Sequence, residues 1–225
     1  MRIKVNASNV AALIGKNPFK TREDALNEVL IDNGLLQEDE EAVALIEEVK
    51  LACKHETDLV CQSKTQSELE ENIKVYERKV RDLTIAKGDS PVVLHALGLA
   101  VKERGTRTEE ESTNKLEVSS GVAIHSRNAR CYVYHVPSSE IVIAGRTDGL
   151  QGDDTVVETK TRRRFWKYPP EYDMIQLRCY MKLTNRKIGI LNECFPDTTN
   201  RVTKIEWSDS AWSEIENELI RQVKK

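Results

Sequence analysis

The chain has 225 residues, of which 39% are hydrophobic and 32% are charged, so it can form one large domain with a very polar surface. Its formal net charge of −3 excludes a protein that is basic throughout, and nucleic acid would have to bind a local basic patch. No apolar run reaches the roughly 18 residues of a membrane span, and Met1–Val5 lacks the apolar part of a signal peptide, so we expect an intracellular protein, cytoplasmic or nuclear, without membrane contact.

The cysteines are odd in number and scattered, and no two of them form a C-x-x-C pair. This spacing is not typical of a zinc site or an iron–sulfur cluster. Reduced thiols are the simplest interpretation. The five cysteines are Cys53, Cys61, Cys131, Cys179 and Cys194.

Capping residues in the N-terminal segment predict two short helices. Ser8 is placed to cap the first helix, and Gly15 is placed just beyond its C-terminal end. Thr21 is placed to cap the second helix, with Asp24 at its third position.

The pattern of residues 36–87 predicts a helical insertion. Apolar residues recur at intervals of four and three between Leu69 and Leu83, which is typical of a helix–helix seam. Polar residues around 57–65 separate this stretch from an earlier helical one, so we predict an antiparallel hairpin of two helices. The pattern leaves open whether the hairpin protrudes as an arm or lies on the rest of the domain.

The next segment predicts two helices and then strands. Ser90 and Pro91 begin a helix that ends at Gly105, and a further helix from Thr106 to Val118 carries adjacent glutamates. Strands are predicted at about 122–126, 130–136, 140–147 and 155–161.

A predicted β-hairpin at residues 141–160 carries the most informative charged residues. Asp148 ends its first strand, and Glu158 and Lys160 share one face of its second strand because side chains alternate with a period of two. Pairing of the strands would bring two carboxylates and an ammonium group together. Two carboxylates of this kind can hold Mg²⁺, although an ordinary surface hairpin with a Glu–Lys pair has the same spacing.

A basic and aromatic segment follows this hairpin. Clustered like charges repel each other unless a polyanion neutralises them, so the segment favours contact with a DNA backbone. The aromatic residues Phe165, Trp166 and Tyr168 could stack on a base or pack in the core. The residues predicted to contact DNA or phosphate are Arg162, Arg163, Arg164, Trp166 and Lys167, with Arg146 two residues before Asp148 and Ser8 at the first helix.

Four motifs in this order resemble the YqaJ-like viral recombinase group, which includes lambda exonuclease, of the PD-(D/E)XK nuclease superfamily. They span most of the chain outside residues 36–87. The motifs are Asn6-Ala7-Ser8 with Gly15-x-Asn17-Pro18-Phe19; Arg104-Gly105-x-x-x-Glu109; Gly145-x-x-Asp148-Gly149 with Glu158-x-Lys160; and Gln176 followed by Tyr180-Met181.

The resemblance implies a fold and a set of site roles. We expect an α/β fold with a restriction-endonuclease-like core, a central mixed β-sheet flanked by helices, in a single domain of residues 1–225 that carries the 36–87 insertion. Asp148, Glu158 and the Thr159 carbonyl would bind Mg²⁺, with Mn²⁺ as a substitute. Glu109, or else Glu110, would complete the metal site. Lys160 would position or deprotonate the attacking water, and Gln176 would orient Lys160 or a phosphate.

The implied function is a metal-dependent DNA exonuclease that acts on duplex ends, in the 5′→3′ direction, in recombination, repair or phage and viral replication. The implied partners are double-stranded DNA ends, a single-strand annealing protein and further copies of the chain. Two alternatives stay open: a structure-specific or site-specific endonuclease of the same fold, and a catalytically weak module that binds DNA ends or a partner.

Overall fold

The computed structural model describes residues 2–88, 90–196 and 200–223. The helices are α1 (Ala7–Leu13), α2 (Arg22–Asp32), α3 (Glu40–Ala52), α4 (Lys54–Gln62), α5 (Gln66–Leu83), α6 (Pro91–Ser120), α7 (Glu171–Thr184) and α8 (Asp209–Val223). The strands are β1 (Ile3–Asn6), β2 (Ile124–His125), β3 (Tyr132–His135), β4 (Ile141–Gly145), β5 (Gly149–Gln151), β6 (Thr155–Thr161), β7 (Ile188–Cys194) and β8 (Arg201–Glu206).

The described strands form two mixed sheets. The first has the order β1-β4-β3 and the second the order β2-β5-β6-β7-β8. The predicted α/β class, with mixed sheet flanked by helices, is confirmed. The predicted hairpin is corrected in one respect: β4 pairs with β1 and β3, and it is β5 that pairs with β6. The three residues between β4 and β5 carry the chain from one sheet to the other.

The N-terminal helices are set by their caps. Thr21 and Asp24 form the predicted capping box at the start of α2. Gly15 follows α1 with a φ of +73°, a left-handed conformation that glycine adopts at little steric cost. The prediction for Ser8 was wrong in its position: Asn6 occupies the N-cap, and Ser8 lies exposed inside the first turn of α1.

Helix α6 is one continuous helix. The sequence predicts a break at Gly105, but the helix runs through it and ends at Ser120, before the left-handed Gly121. Glycine in a helix interior costs only about 1 kcal/mol relative to alanine, which tertiary packing readily offsets. The consequence is that one rigid element extends from the insertion to the sheet.

The insertion contains three helices and not two, because residues 54–62 form α4 where the sequence predicts a polar connection. Val60 of α4 is buried, and Glu56 accepts a hydrogen bond from Lys79 of α5 at 2.8 Å. The insertion packs on the first half of α6, where the Tyr76 hydroxyl donates to the Ala96 carbonyl at 2.8 Å. Its apolar cluster is made of Leu45, Val49, Cys53, Val60, Leu69, Ile73, Tyr76, Val80, Ala96 and Ala100.

A second apolar cluster lies between the sheets and helices α1, α7 and α8. Its fully buried members include Ile143 of β4, Leu177 of α7 and Leu191 of β7. The two clusters share no buried residue, so the insertion and the sheets have separate cores. Among the described helices, none combines the length and the apolar character needed to cross a membrane.

Candidate active site

Asp148 and Glu158 meet at the end of the β5–β6 pair. The register places Gly149 opposite Val157, so the preceding Asp148 comes level with the following Glu158. The backbone amide of Thr159 donates a hydrogen bond to the Asp148 carboxylate at 2.6 Å. Glu158 is only 2% exposed. The structure therefore brings together the two carboxylates that the sequence predicts as metal ligands.

Two glycines allow this close packing. A Cβ atom on Gly145 would lie 2.7 Å from the ring of Tyr180, and one on Gly149 would lie 2.2 Å from a methyl group of Ile124. Side chains cannot pack at such distances. The glycines of the Gly145-x-x-Asp148-Gly149 motif thus let α7 and β2 approach the turn that holds Asp148.

The carboxylate pair is electrostatically strained. Burial, together with the nearby Glu158 and Glu109, raises the pKa of Asp148 well above its ordinary value. Burial also raises the pKa of Glu158, although the Lys160 ammonium works in the opposite direction. One oxygen of Glu158, Oε2, is buried and has no hydrogen-bond partner. A bound cation would satisfy this oxygen and offset the repulsion, so the residues present fit a divalent metal.

Acidic side chains of the described residues do not by themselves form a complete set of metal ligands. Within residues 2–88, 90–196 and 200–223, no three His, Cys, Asp or Glu side chains are grouped closely enough to hold a metal ion by themselves. A cation at Asp148 and Glu158 would need further oxygens from the backbone, from water or from a substrate phosphate. Mg²⁺ commonly binds in this way.

Lys160 joins the carboxylates to helix α7. Its Nζ lies 2.6 Å from Glu158 Oε1 and donates to the Gln176 side-chain oxygen at 3.1 Å. The Gln176 amide in turn donates to the Tyr180 hydroxyl at 3.0 Å. Burial lowers the pKa of Lys160, but the carboxylates of Glu158, Asp173 and Asp148 outweigh this effect and raise it above its usual value. The ammonium group is therefore a fixed, charged hydrogen-bond donor.

Helix α6 presents Glu109 to the same site. Glu109 is half-buried, accepts a hydrogen bond from Asn128 at 2.8 Å, and lies close enough to Asp148 to raise its pKa. Glu110 is exposed. Of the two candidates, Glu109 is the one that faces the carboxylate pair.

Arg162 does not belong to a basic surface, and its grouping with Arg163 and Arg164 was wrong. It is 7% exposed, and its guanidinium donates to Asp173 at 2.6 Å and to Glu193 at 2.8 Å. A charge in the interior needs such partners to offset its lost hydration. Alternation along β6 gives the reason, because Arg162 follows Lys160 by two residues and shares its inward face.

The remaining basic residues are exposed. Arg163 lies 3.8 Å from Glu77 of α5, and Arg164 stacks over the Trp166 ring at 4.7 Å. Lys167 is exposed beside Tyr168. Arg146 lies exposed on the turn before Asp148. These four cations lie on the surface, and their contact with DNA stays a prediction.

An aromatic cleft lies beside this basic segment. Phe19 packs edge-to-face on Trp166 and on Tyr172, with ring centroids 6.3 Å and 5.9 Å apart. The cleft has a volume of about 440 Å³, and Phe19 remains 67% exposed. Large exposed aromatic surface of this kind is available for contact with another molecule.

Sequence reasoning missed several supporting residues. Asp173 and Glu193 hold Arg162, Asn128 holds Glu109, and Tyr180 holds Gln176. One signal was present in the sequence: Glu193 is a single acid inside the otherwise apolar and uncharged run of Ile188–Cys194. An acid in such a run is expected to have a buried partner.

Comparisons with known proteins identify the fold. No family model matches the chain, and no curated protein matches its sequence. The alkaline exonuclease LHK-Exo from Laribacter hongkongensis superposes with a TM-score of 0.58 at 16% identity, over 98% of this chain and 86% of that one. The structure of LHK-Exo in complex with dAMP gives a TM-score of 0.56 with the same identity and coverage. The chain therefore has the fold of this exonuclease.

Another solved structure is less similar. A phage-related exonuclease from Haemophilus somnus 129PT has a TM-score of 0.46 at 13% identity, over 99% of this chain and 92% of that one. A score of this size adds nothing to the fold assignment. Because one fold can carry many activities, the function has to be argued from the site.

Proposed function

We propose that the protein is a Mg²⁺-dependent deoxyribonuclease that hydrolyses duplex DNA from an end, in the 5′→3′ direction, during recombination, repair or viral replication. One observation carries the proposal: the half-buried Asp148 lies beside the buried Glu158, one Glu158 oxygen has no hydrogen-bond partner among the described residues, and Lys160 contacts Glu158. A paired carboxylate with a neighbouring ammonium suits metal-assisted hydrolysis of a phosphodiester.

The metal ligands would be Asp148, Glu158 and the backbone carbonyl of Thr159, with Glu109 holding a second ion or a bound water. A bound Mg²⁺ would polarise the phosphate and lower the pKa of a coordinated water, and Mn²⁺ could replace it. The raised pKa values of the two acids support this ligand set, since a cation removes the repulsion between them.

Lys160 and Gln176 would position the reacting groups. The Lys160 ammonium is held by Glu158 on one side and by Gln176 on the other, so its location is fixed before substrate binds. A donor fixed in this way can hold the attacking water or balance charge on the phosphate without reorganising. Tyr180 supports the arrangement through its hydrogen bond with Gln176.

DNA would approach along the exposed basic and aromatic residues. Four exposed cations that lie close to Asp148 or Lys160 in the sequence could contact the phosphate backbone. They are Arg146, Arg163, Arg164 and Lys167. Trp166 and Phe19 form an open aromatic cleft in which a terminal base could stack. Ser8 remains a candidate for a phosphate contact as an exposed hydroxyl, and no longer as a helix cap.

A single assay tests the activity and its polarity. Linear duplexes labelled at the 5′ end or at the 3′ end, and a closed circle, are incubated with the protein and Mg²⁺. Early release of the 5′ label with an intact circle is expected. Cleavage of the circle would indicate an endonuclease. If the protein binds the duplex but releases neither label, it would instead be an end-binding module. Glu158→Gln, in parallel, identifies cleavage by a contaminating nuclease.

A further inference from the structure

A second cleft lies on the opposite face of β6 from the carboxylate pair. Thr159 and Thr161 point away from Glu158 and Lys160, and they hydrogen-bond to Thr113 and Thr108 of α6 at 3.1 Å and 2.7 Å. Beyond Thr161 the space between α4, α6 and the strands β7 and β8 opens into a cleft of about 970 Å³. Cavities that bind small molecules commonly have volumes of about 300–1,000 Å³.

Arg104 lies in the wall of this cleft without a counter-charge. It is 8% exposed, and its Nε is buried with no hydrogen-bond partner. Among the residues that the structure describes, no carboxylate forms an ion pair with it. Burial lowers the pKa of Arg104, and only the thiols of Cys61 and Cys194 act against this effect. The guanidinium is thus a buried cation whose neighbours do not neutralise it.

Arg162 is a buried arginine of the same chain that has acidic partners, and it serves as a comparison. Arg162 is 7% exposed, almost as buried as Arg104, and it has both Asp173 and Glu193 as partners. An unpaired buried charge is strongly destabilising, and a protein normally removes it or pairs it. The missing partner of Arg104 is therefore expected to be a bound anion.

The other cleft residues indicate the kind of anion. Lys64 and Lys115 are exposed at its rim, where Lys115 forms an exposed ion pair with Glu111 at 2.8 Å, and Ser112 and Asn192 add polar groups to its wall. The side chains of Leu116, Phe195 and Val202 add apolar surface. The volume is much larger than a single inorganic anion requires. A nucleotide combines a phosphate for the cations with a base for the apolar wall.

We propose that this cleft binds the phosphate of a nucleotide through Arg104, at a site separate from Asp148 and Glu158. The planar guanidinium matches the oxygens of a phosphate and binds it with two parallel hydrogen bonds. The nucleotide is either free or part of a DNA strand, because both present the same group. The proposal does not depend on nuclease activity, since it concerns binding and not cleavage.

The test measures binding without metal. Thymidine 5′-monophosphate and a short oligothymidylate are titrated calorimetrically into the full chain in EDTA, which prevents cleavage. We expect at least one of them to bind, and Arg104→Gln to weaken that binding by about tenfold or more. Arg221→Gln, which removes an exposed arginine from α8, is the matched control and should bind as the unchanged protein does.

The two ligands distinguish a DNA strand from a free nucleotide as the molecule that supplies the phosphate. Binding of the oligothymidylate alone assigns the cleft to a DNA strand, and equal binding of the mononucleotide assigns it to a free nucleotide. If Arg104→Gln fails to fold, the rim variant Lys64→Gln/Lys115→Gln replaces it, with an expected weakening of a few-fold. The proposal is overturned if neither ligand binds, or if binding is unchanged in the folded variants.

Discussion

The helical region of residues 40–88 and 90–103 and the sheet region differ in whether charged side chains are buried. In the helical region the buried cluster is apolar apart from one tyrosine hydroxyl and a thiol, and ion pairs such as Glu56–Lys79 lie at least partly exposed. In the sheet region Glu158 and Arg162 are almost fully buried, and Glu193 is completely buried.

This difference separates a packing role from a chemical one. Burying a carboxylate or a guanidinium costs several kcal/mol before partners are counted, and apolar residues of similar size would be at least as stable. A chain that keeps such groups around β6 therefore accepts a cost that the helical region avoids. Arg104 lies where the two regions meet, and of the two buried arginines among the described residues, Arg104 and Arg162, it is the one without an acidic partner.

The largest expected effect comes from Glu158→Gln or Asp148→Asn, which should abolish Mg²⁺-dependent cleavage while the protein stays folded. The unchanged protein should also gain thermal stability on addition of Mg²⁺, because a ligand that binds only the folded state stabilises it. The variants should lose this gain. Differential scanning fluorimetry with and without Mg²⁺, beside the cleavage assay, measures both. A variant that cleaves at the full rate would remove this site from consideration.

Lys160→Ala should reduce the turnover rate by a factor of roughly 10² to 10⁴, with DNA affinity changed much less. The reason is that Lys160 contacts Glu158 and Gln176 at the site. Lys187→Ala is a suitable control, because Lys187 is exposed at the opposite end of the β6–β7 pair. Single-turnover rates and binding isotherms are compared. If affinity collapses and the rate does not, Lys160 is a phosphate anchor.

Arg162→Met should destabilise the protein by about 3–5 kcal/mol, because it leaves Asp173 buried without its ion-pair partner and removes one of the two arginines that pair with Glu193, the other being Arg201. Arg164→Met, two residues further on, should cost less than about 1 kcal/mol, since it loses only an exposed contact with Trp166. Urea denaturation of the two variants gives the comparison directly. Similar losses in both would mean that the buried network does not contribute as its geometry indicates.

Ile73→Ala and Leu191→Ala compare the two cores. Each removes a fully buried side chain, and each should cost about 2–5 kcal/mol. Only Leu191 pairs with Glu158 across β6 and β7, so only its replacement should also slow cleavage by the folded protein. Unfolding and turnover are measured on the same samples. An equal loss of turnover in Ile73→Ala would show that the helical region acts on the site.

The smallest effect is expected from Arg163→Gln/Arg164→Gln. Each phosphate contact that is lost should reduce the slope of log affinity against log salt by about 0.9 for duplex DNA. The ion pair of Arg163 with Glu77 is long and exposed, so stability should hardly change. Filter binding across a salt series, with Arg221→Gln as the control, measures the slope. An unchanged slope would mean that these arginines do not contact DNA and are only part of the solvated surface.

The sequence was sufficient where the information is local. Capping of α2 by Thr21 and Asp24 follows from residues within one helical turn. The seam in α5 follows from helical periodicity: Leu69, Ile73, Tyr76 and Val80 are buried, whereas Leu83, the last predicted member, is exposed at the end of the helix. The spacing of Asp148, Glu158 and Lys160 also predicted that they could meet, although the strand that pairs with β6 is β5 and not the predicted strand at 140–147.

The tertiary structure decided what depends on distant partners. Arg162, Arg163 and Arg164 look alike in the sequence. Alternation is consistent with an inward position for the first of them, but its buried ion pairs depend on Asp173 of α7 and Glu193 of β7, which are distant in the chain. Residues 54–62 became a helix because α5 and α6 cover it, and Gly105 did not end α6 because packing on both halves outweighs its low helix propensity. In each case the deciding contact joins residues far apart in the chain, which local patterns do not contain.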